Sequence, residues 1–314
     1  MFRRKQSDPN PLRVQLTDLL ALLEPTTLKA SIEGRTLKAR HEHYDVRVEV
    51  LPPQVKEPTS DPIRAVVRVI AELPPVFAKF AENPGAVAEM NTLAALGALT
   101  TESGRSYVGS RLTIYEREDA WSTLQLPLLL FATICGNEAI LGGMRQSFGI
   151  TPRRDGVSAW TTADLRLVES VLSRVSVCTA GGLGLTAEFG LQEGAWSAAA
   201  GDHQTALFQL RADQPHPELG GGLFCLLQLP HQIRDERRLA SICAQLNGME
   251  MAAHDLPPHF GAWCKGKLGS NPAYVSFFPN ALHSTSGIAV NAAFWALNRA
   301  QWAHAMLAAM DVQS

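Results

Sequence analysis

The chain has 314 residues, of which 46% are hydrophobic and 18% are charged, a composition that excludes a largely disordered protein. Its charge is nearly balanced, with 28 Lys and Arg against 30 Asp and Glu. This balance argues against nucleic-acid binding, because such proteins usually carry a basic surface and a high pI. A chain of this length more commonly forms two domains than one.

The first residues predict no secretion signal. A basic cluster at 3–5 runs into Ser7-Asp8-Pro9-Asn10-Pro11, where an apolar segment would be required. The most apolar stretch, 124–136, is too short to span a bilayer, which needs about 20 residues. Five scattered cysteines without a CxxC pair fit reduced, packed thiols. We therefore expect a cytoplasmic protein without membrane insertion.

The first half of the chain predicts elements in the order α-β-β-β-α-β-α. Apolar residues at helical spacing indicate the helices, and alternation indicates strands, most clearly at Val46, Val48 and Val50. In chain order the elements are helix 16–23, strands 34–44, 46–50 and 65–73, helix 90–99, a strand opening at Tyr107, and helix 121–141.

The second half predicts the same order again. Two anchors support the match: an apolar strand that stops at Leu73-Pro74 or Leu229-Pro230, and a strand that opens at Tyr107-Val108 or Tyr274-Val275. The second set of elements is helix 162–172, strands 181–192, 206–210 and 222–229, helix 237–249, a strand opening at Tyr274, and helix 288–310.

These observations predict an α+β fold of two tandem repeats that form a pseudo-dimer within one chain. Each repeat is an antiparallel β-sheet packed against helices, because the strand connections are short and regular strand–helix alternation is absent. The predicted divisions are a disordered segment at 1–11, a first repeat at 12–145, a linker at 146–160 and a second repeat at 161–314.

Histidines offer two weak metal sites. His41 and His43 lie at strand spacing, so both rings point to one face, but no second ligand pair supports them. His254 and His259 lie near Cys264 in a segment, 254–272, that has no counterpart in the first half. A surface loop is the favoured interpretation, and we predict no metal and no other cofactor.

No sequence motif specifies a reaction. The glycines at 181–184 predict a turn, because no helix follows them as a phosphate loop requires. Cys135 and Cys243 lie in predicted apolar helices, where thiols usually only pack. Carboxylates at 116–119 fit a solvated turn. A dispersed site between the repeats remains an alternative, and its candidate residues are Asp202, His203, His231 and Asp235.

Trp295, Trp302 and Met306 are the candidate partner-binding residues. Their spacings of seven and four place them on one face of the last predicted helix. Tryptophan is enriched at binding hot spots, whereas the alternative interpretation packs this face on the sheet.

This order of elements resembles the small α+β fold of type III secretion chaperones and related bacterial sensory-regulator-type domains. The helices at Asp18 and Asp164, the Leu73-Pro74 and Leu229-Pro230 strand ends, and the tyrosine strands carry the resemblance. The family implies protein binding without catalysis, and its members work as dimers that a tandem copy would imitate. The chain departs from the family in being duplicated and nearly neutral.

We therefore predict a non-catalytic protein-binding module, chaperone-like or regulatory, that binds a segment of a partner protein. It would be a monomeric pseudo-dimer or a homodimer. The alternatives are an enzyme with a site assembled between the repeats and a structural subunit of a larger complex.

Overall fold

Two six-stranded antiparallel sheets with helices packed against them make up the described part of the computed structural model. The fold is therefore α+β, as the sequence predicted. The structure describes residues 29–34, 36–40, 45–51, 63–77, 82–102, 104–115, 129, 133–134, 136–142, 156–191, 204–266 and 270–312.

The first sheet has the strand order β1-β2-β3-β4-β6-β5. Its strands are β1 (Lys29–Glu33), β2 (Thr36–Arg40), β3 (Asp45–Leu51), β4 (Ile63–Glu72), β5 (Ala98–Glu102) and β6 (Arg105–Tyr115). The second sheet, given from its other edge, has the order β7-β8-β9-β10-β12-β11. Its strands are β7 (Val177–Gly181), β8 (Gly184–Gly190), β9 (Thr205–Arg211), β10 (Gly222–Gln228), β11 (Ala262–Lys265) and β12 (Pro272–Pro279).

Four α-helices are bounded within the described residues. They are α1 (Pro84–Met90), α2 (Thr162–Leu172), α3 (Glu236–Ala252) and α4 (Ile288–Val312). The segment 136–142 is also helical and overlaps the end of the predicted helix 121–141. Short 3-10 turns occupy Pro75–Phe77, Asn91–Leu93 and Asn280–Leu282. Within the ranges described, no helix is both long and apolar enough to cross a membrane.

Alternation of apolar residues builds both sheets around their cores. Val46, Val48 and Val50 are buried on β3, and Phe208 and Leu210 are buried on β9, which confirms the predicted strands 46–50 and 206–210. Successive strand residues point to opposite faces, so each set lies on one face of its sheet. Burial of these side chains is the main favourable term for each sheet.

Both sheets repeat the same local geometry. The hairpins β1–β2 and β7–β8 each turn through two residues and begin the turn with a glycine at positive φ, Gly34 at 61° and Gly182 at 57°. Glycine adopts such a φ more readily than residues with a Cβ atom. Beyond β4 and β10, Leu73 N donates to Ser106 O and Leu229 N donates to Pro272 O. The two Leu-Pro anchors therefore occupy matching positions.

A buried asparagine clamps the fifth strand of each sheet. The Asn91 amide donates to Leu99 O at 3.1 Å and accepts from Leu99 N at 2.8 Å. The Asn247 amide does the same with Trp263, at 2.9 and 2.8 Å. Leu99 and Trp263 lie on the edge strands β5 and β11, where no further strand is present to pair with them. The asparagine side chain makes these two backbone hydrogen bonds instead, so the N–H and C=O groups are paired.

Three predictions from the sequence are corrected. Each sheet has six strands, whereas the predicted order α-β-β-β-α-β-α gives each repeat four. The strands missed were β1, β5, β7 and β11, which are four or five residues long and too short to show a clear alternation. Helix 90–99 is also wrong, because α1 begins at the Asn83 cap and ends at Met90, where Asn91 turns toward β5.

The third correction concerns the tyrosine anchors, which are one residue out of register. Tyr107 pairs with Glu72 on β4, whereas Tyr274 pairs with Leu227 on β10. Counting from the matched Leu-Pro ends, Tyr274 corresponds to Val108. A shift of one residue moves a side chain to the other face of a sheet. Tyr274 is accordingly buried and Tyr107 only half-buried.

Several predicted segments fall outside the described residues. They include the disordered segment 1–11, helix 16–23 and most of the linker 146–160. The described end of that linker is held against the second sheet, because the Asn280 amide donates to Val157 O and accepts from Ala159 N. The predicted helix 162–172 is confirmed as α2.

The two sheets meet through α1, α3 and the strands beside them. Ala94 and Ala98 pack with Ala262 and Val275 in one apolar cluster. His216 adds a polar contact: its Nδ1 atom accepts from two backbone amides, so Nε2 carries the proton and donates to Leu93 O at 3.0 Å. The sheets therefore share a packed, hydrogen-bonded junction.

We expect Asn91→Ala and Asn247→Ala each to lower the free energy of unfolding by about 1–3 kcal/mol. Each substitution leaves the buried backbone N–H and C=O of Leu99 or Trp263 without a hydrogen-bond partner. Urea unfolding measures both, with the exposed Asn298→Ala as the control, for which no more than about 0.5 kcal/mol is expected. If Asn91→Ala or Asn247→Ala lowered the free energy of unfolding no more than Asn298→Ala does, the clamp role of that asparagine would be contradicted.

Candidate functional site

Helix α4 packs on the second sheet through a face of small side chains. The buried residues of this face include six alanines, listed here: Ala289, Ala292, Ala293, Ala296, Ala300 and Ala303. Small side chains let the helix lie close to the sheet and leave larger neighbours at the edge of the contact. The helix confirms the predicted 288–310 element.

Trp295, Trp302 and Met306 line one flank of α4, and we call these three residues the tryptophan flank. All three are half-buried, packed against the core on one side and open on the other. The Trp295 ring meets Phe260 edge-on, with centroids 5.6 Å apart. The structure therefore keeps part of each predicted binding side chain accessible.

The outward face of α4 carries no charge between Ile288 and Met310. Between 288 and 310, Arg299 is the single Lys, Arg, Asp or Glu, and it is buried. The exposed positions of the helix hold Asn298 and alanines at 305, 308 and 309. A solvent-facing helix normally carries charged residues on this side.

Arg299 turns inward and binds a fully buried carboxylate, that of Glu250 on α3. Arg299 Nε donates to Glu250 Oε1 at 2.9 Å and Oε2 at 3.0 Å. Trp263 Nε1 donates to Oε1 at 2.7 Å, and His259 Nδ1 donates to Oε2 at 2.9 Å. The guanidinium also lies 3.9 Å above the Tyr274 ring. We call these five residues the Glu250 cluster.

The cluster keeps Glu250 ionised. Burial alone would raise the pKa of Glu250, but the charge of Arg299, together with the hydrogen bonds from His259 and Trp263, outweighs burial and lowers that pKa to about 2. Burial would lower the pKa of Arg299, which the Glu250 carboxylate instead raises. A buried pair of this kind is stable only when its hydrogen bonds are satisfied, as they are here.

His259 is neutral in this arrangement. Burial lowers the pKa of His259, and the attraction of Glu250 opposes the shift without reversing it. The contact of His259 with Glu250 is therefore a hydrogen bond from a neutral ring, with the proton on Nδ1. Tyr274 remains protonated, because burial raises its pKa.

Arg111 extends the cluster to the first sheet. From β6 its Nη2 atom donates to Leu256 O at 3.1 Å and Pro257 O at 2.6 Å, while His259 N donates to Arg111 O at 2.8 Å. Arg299 Nη2 donates to Pro258 O at 2.8 Å. Two arginines, one from each half, thus hold the same loop. Burial lowers the pKa of Arg111 to about 10, so it remains charged.

This geometry corrects the surface loop that was predicted for the segment at His254 and His259. His259 Nδ1 is bonded to Glu250 and its Nε2 is fully buried without a hydrogen-bond partner, while the His254 carbonyl accepts from Thr113 Oγ1 at 2.7 Å. Within the described ranges, no group of three or more His, Cys, Asp or Glu side chains is placed to hold a metal. The segment joins the two halves instead of forming a free surface loop.

The remaining candidate residues from the sequence analysis either line a cavity, lie outside the described residues, or have an ordinary structural role. His231 and Asp235 line one cavity of about 520 Å³, and His304 Nδ1 lies 3.2 Å from His231 Nε2. Asp202 and His203 lie outside the described residues, as do His41, His43, Cys135 and the carboxylates at 116–119. Cys243 is buried, which raises its pKa to about 12, and the glycines at 181–184 form a hairpin turn.

Weak signals of the Glu250 cluster are present in the sequence. Glu250 lies between Met249 and Met251, and Arg111 and Arg299 lie within the mainly apolar segments 107–115 and 288–310. A charged residue within a buried pattern suggests a paired charge. Because the three are at least 49 positions apart, their pairing could be recognised only in the folded chain.

No match to the chain was found among the family models, the curated proteins or the solved structures. The resemblance to secretion chaperones therefore stays a prediction that rests on the order of elements.

We expect Glu250→Gln to lower the free energy of unfolding by about 3–5 kcal/mol at neutral pH, because it leaves Arg299 buried without a counter-charge. The Glu250 pKa is lower in the folded state than its ordinary 4.5, so its contribution is complete above pH 4.5 and is lost as the pH falls toward 2. The difference between wild type and variant, measured by urea unfolding, should narrow over that range.

The control is Glu236→Gln, which removes an exposed pair with Lys265 and should cost no more than about 1 kcal/mol. The double variant Glu250→Gln/Arg299→Met should unfold less readily than Glu250→Gln alone, since it removes both charges. The ion pair would be contradicted if the loss of unfolding free energy in the double variant equalled the sum of the losses in Glu250→Gln and in Arg299→Met.

Proposed function

We propose that this chain is a non-catalytic protein-binding module, chaperone-like or regulatory, that recognises an apolar segment of a partner protein through helix α4. The observation that carries the proposal is the half-open tryptophan flank beside an uncharged helix face. Interface cores are depleted of charge and enriched in tryptophan and methionine, and both features coincide on this helix.

The composition of the flank suits a binding hot spot. Tryptophan supplies a large contact area with few rotatable bonds, and methionine adapts its shape to different partners. The buried side of the helix is fixed by Arg299 in the Glu250 cluster, so the flank is presented rigidly. A surface that is already ordered loses less entropy on binding.

We also propose that the two halves derive from one duplicated unit and form a pseudo-dimer. The shared strand order, the paired glycine hairpins and the paired asparagine clamps support this. Helix α4 belongs to the second half, so binding would be a property of one copy. The proposal places the protein in the cytoplasm, where its free cysteines stay reduced.

The test compares the Trp302→Ala/Met306→Ala variant with a control, Val157→Ala/Val177→Ala, which removes apolar side chains that are 91% and 73% exposed elsewhere. Trp302 is preferred to Trp295, which packs on Phe260. A partner captured by wild type from the native lysate is purified and titrated calorimetrically against all three proteins, each shown by circular dichroism to be folded.

We expect the flank variant to bind that partner at least about tenfold more weakly than wild type, because hot-spot truncations cost roughly 2 kcal/mol or more. The control should bind like wild type. Equal affinity of the flank variant, or the absence of any partner that wild type binds in the titration, would contradict the proposal.

A further inference from the structure

A buried histidine, His216, lies in a contact between the two halves of the chain. It belongs to the loop between β9 and β10, where its backbone N–H and C=O both pair with Gly220. Across the contact is Leu93, in the 3-10 turn that precedes β5 in the first half. His216 is 7% exposed, so its ring has little access to water. We call this contact the His216 joint.

Both nitrogen atoms of the His216 ring make hydrogen bonds. Nδ1 accepts from Glu218 N at 3.1 Å and from Leu219 N at 3.3 Å, while Nε2 donates to Leu93 O at 3.0 Å. Only a neutral ring with its proton on Nε2 makes all three bonds, because an imidazolium has no acceptor. A second proton, on Nδ1, would face two N–H donors and break both of their bonds.

The surroundings of the ring favour the neutral form. Burial lowers the pKa of His216, and the bond to Leu93 O and the charge of Glu218 oppose this shift without reversing it. Among the residues that the structure describes, Glu218 of the same loop is the charged group that acts on the ring. Phe277 of β12, whose ring centroid lies 5.1 Å away, is uncharged. The closed joint therefore takes up a proton less readily than an exposed histidine does.

The other described contacts of the joint do not titrate near neutral pH. Phe277 N donates to Ala95 O at 2.9 Å, a bond between two backbone groups. Ala94 packs in the apolar cluster that it shares with β11 and β12. The segment 93–95 is thus held on the second half by backbone bonds, apolar packing and one ionisable side chain, His216.

We propose that His216 makes the docking of segment 93–95 acid-sensitive, so that the joint opens when the ring is protonated. Protonation removes two hydrogen bonds and leaves a charge with little access to water, and opening relieves both by hydrating the ring. The open form has the ordinary histidine pKa of 6.5, and the closed form has a lower pKa. The joint is therefore stable above pH 6.5 and weakens as the pH falls below that value.

The test is hydrogen exchange of the Phe277 amide, which reports opening because it donates to Ala95 O across the joint. Exchange is measured by NMR on the full chain at two pH values, about 7 and about 5, and corrected for the intrinsic effect of pH on amide exchange. His216→Gln keeps an Nε2 donor, His216→Asn keeps an acceptor for the loop amides, and neither titrates. His283→Gln, at an exposed histidine, is the matched control.

In wild type and in His283→Gln we expect the opening equilibrium to rise at least about threefold between the two pH values, since linkage allows up to about tenfold per pH unit. Each His216 variant that folds should show less than about half of that rise. His259, in the Glu250 cluster, is unchanged in all four proteins. A rise in a folded His216 variant as large as in wild type, or no rise in wild type, would overturn the proposal.

Discussion

The buried carboxylate of Glu250 is the constraint around which the rest of the structure is arranged. An ionised group without water needs partners of opposite charge and a complete set of hydrogen bonds. Arg299, Trp263 and His259 supply these from a helix, a strand and a loop. Each partner fixes the position of its own element, so one charge sets the relation between three parts of the second half.

The same cluster ties the second half to the first. The loop at 254–259 presents carbonyl groups to Arg111 and Thr113 of β6 on one side and to Arg299 of α4 on the other. Such backbone carbonyls accept strongly from guanidinium groups, which carry several donors in one plane. The loop therefore connects the first sheet to helix α4 through hydrogen bonds on both of its sides.

Helix α4 takes its rotation about its own axis from this contact. Trp295 precedes Arg299 by four residues and Trp302 follows it by three, so all three lie on neighbouring positions of one side. With Arg299 turned into the cluster, the two tryptophans are held at the edge of the core. The proposed binding surface is thus a consequence of a buried ion pair.

Periodicity predicted the long elements and failed for the short ones. The alternation at Val46, Val48 and Val50 and the long apolar pattern of α4 were sufficient, because each element carries its own signal. Strand β5 was missed because the Asn91 clamp, a contact over eight residues, decides where α1 ends and the strand begins. Neither the clamp nor the one-residue offset between Tyr107 and Tyr274 has a local signature.

Only the half-exposed residues of the candidate site could be predicted from the sequence, and the buried cluster behind them could not. Helical spacing was sufficient to place Trp295, Trp302 and Met306 on one side of α4, since that placement depends on one element. The Glu250 cluster unites distant residues, and Arg111 joins it from the first half. The segment at His254 and His259 was predicted as a surface loop, whereas it makes a backbone contact with Thr113 and a buried hydrogen bond with Glu250. Tertiary pairing of distant charges is not encoded in local periodicity.

Native-state hydrogen exchange in wild type and Arg111→Met would test most directly whether the Glu250 cluster joins the two sheets into one cooperative unit. In wild type the slowest amides of β4 and of β10 should open with the same free energy and the same dependence on denaturant. In Arg111→Met the two sheets should open separately, the first at lower free energy. Separate opening already in wild type, or joint opening in the variant, would contradict this role of the cluster.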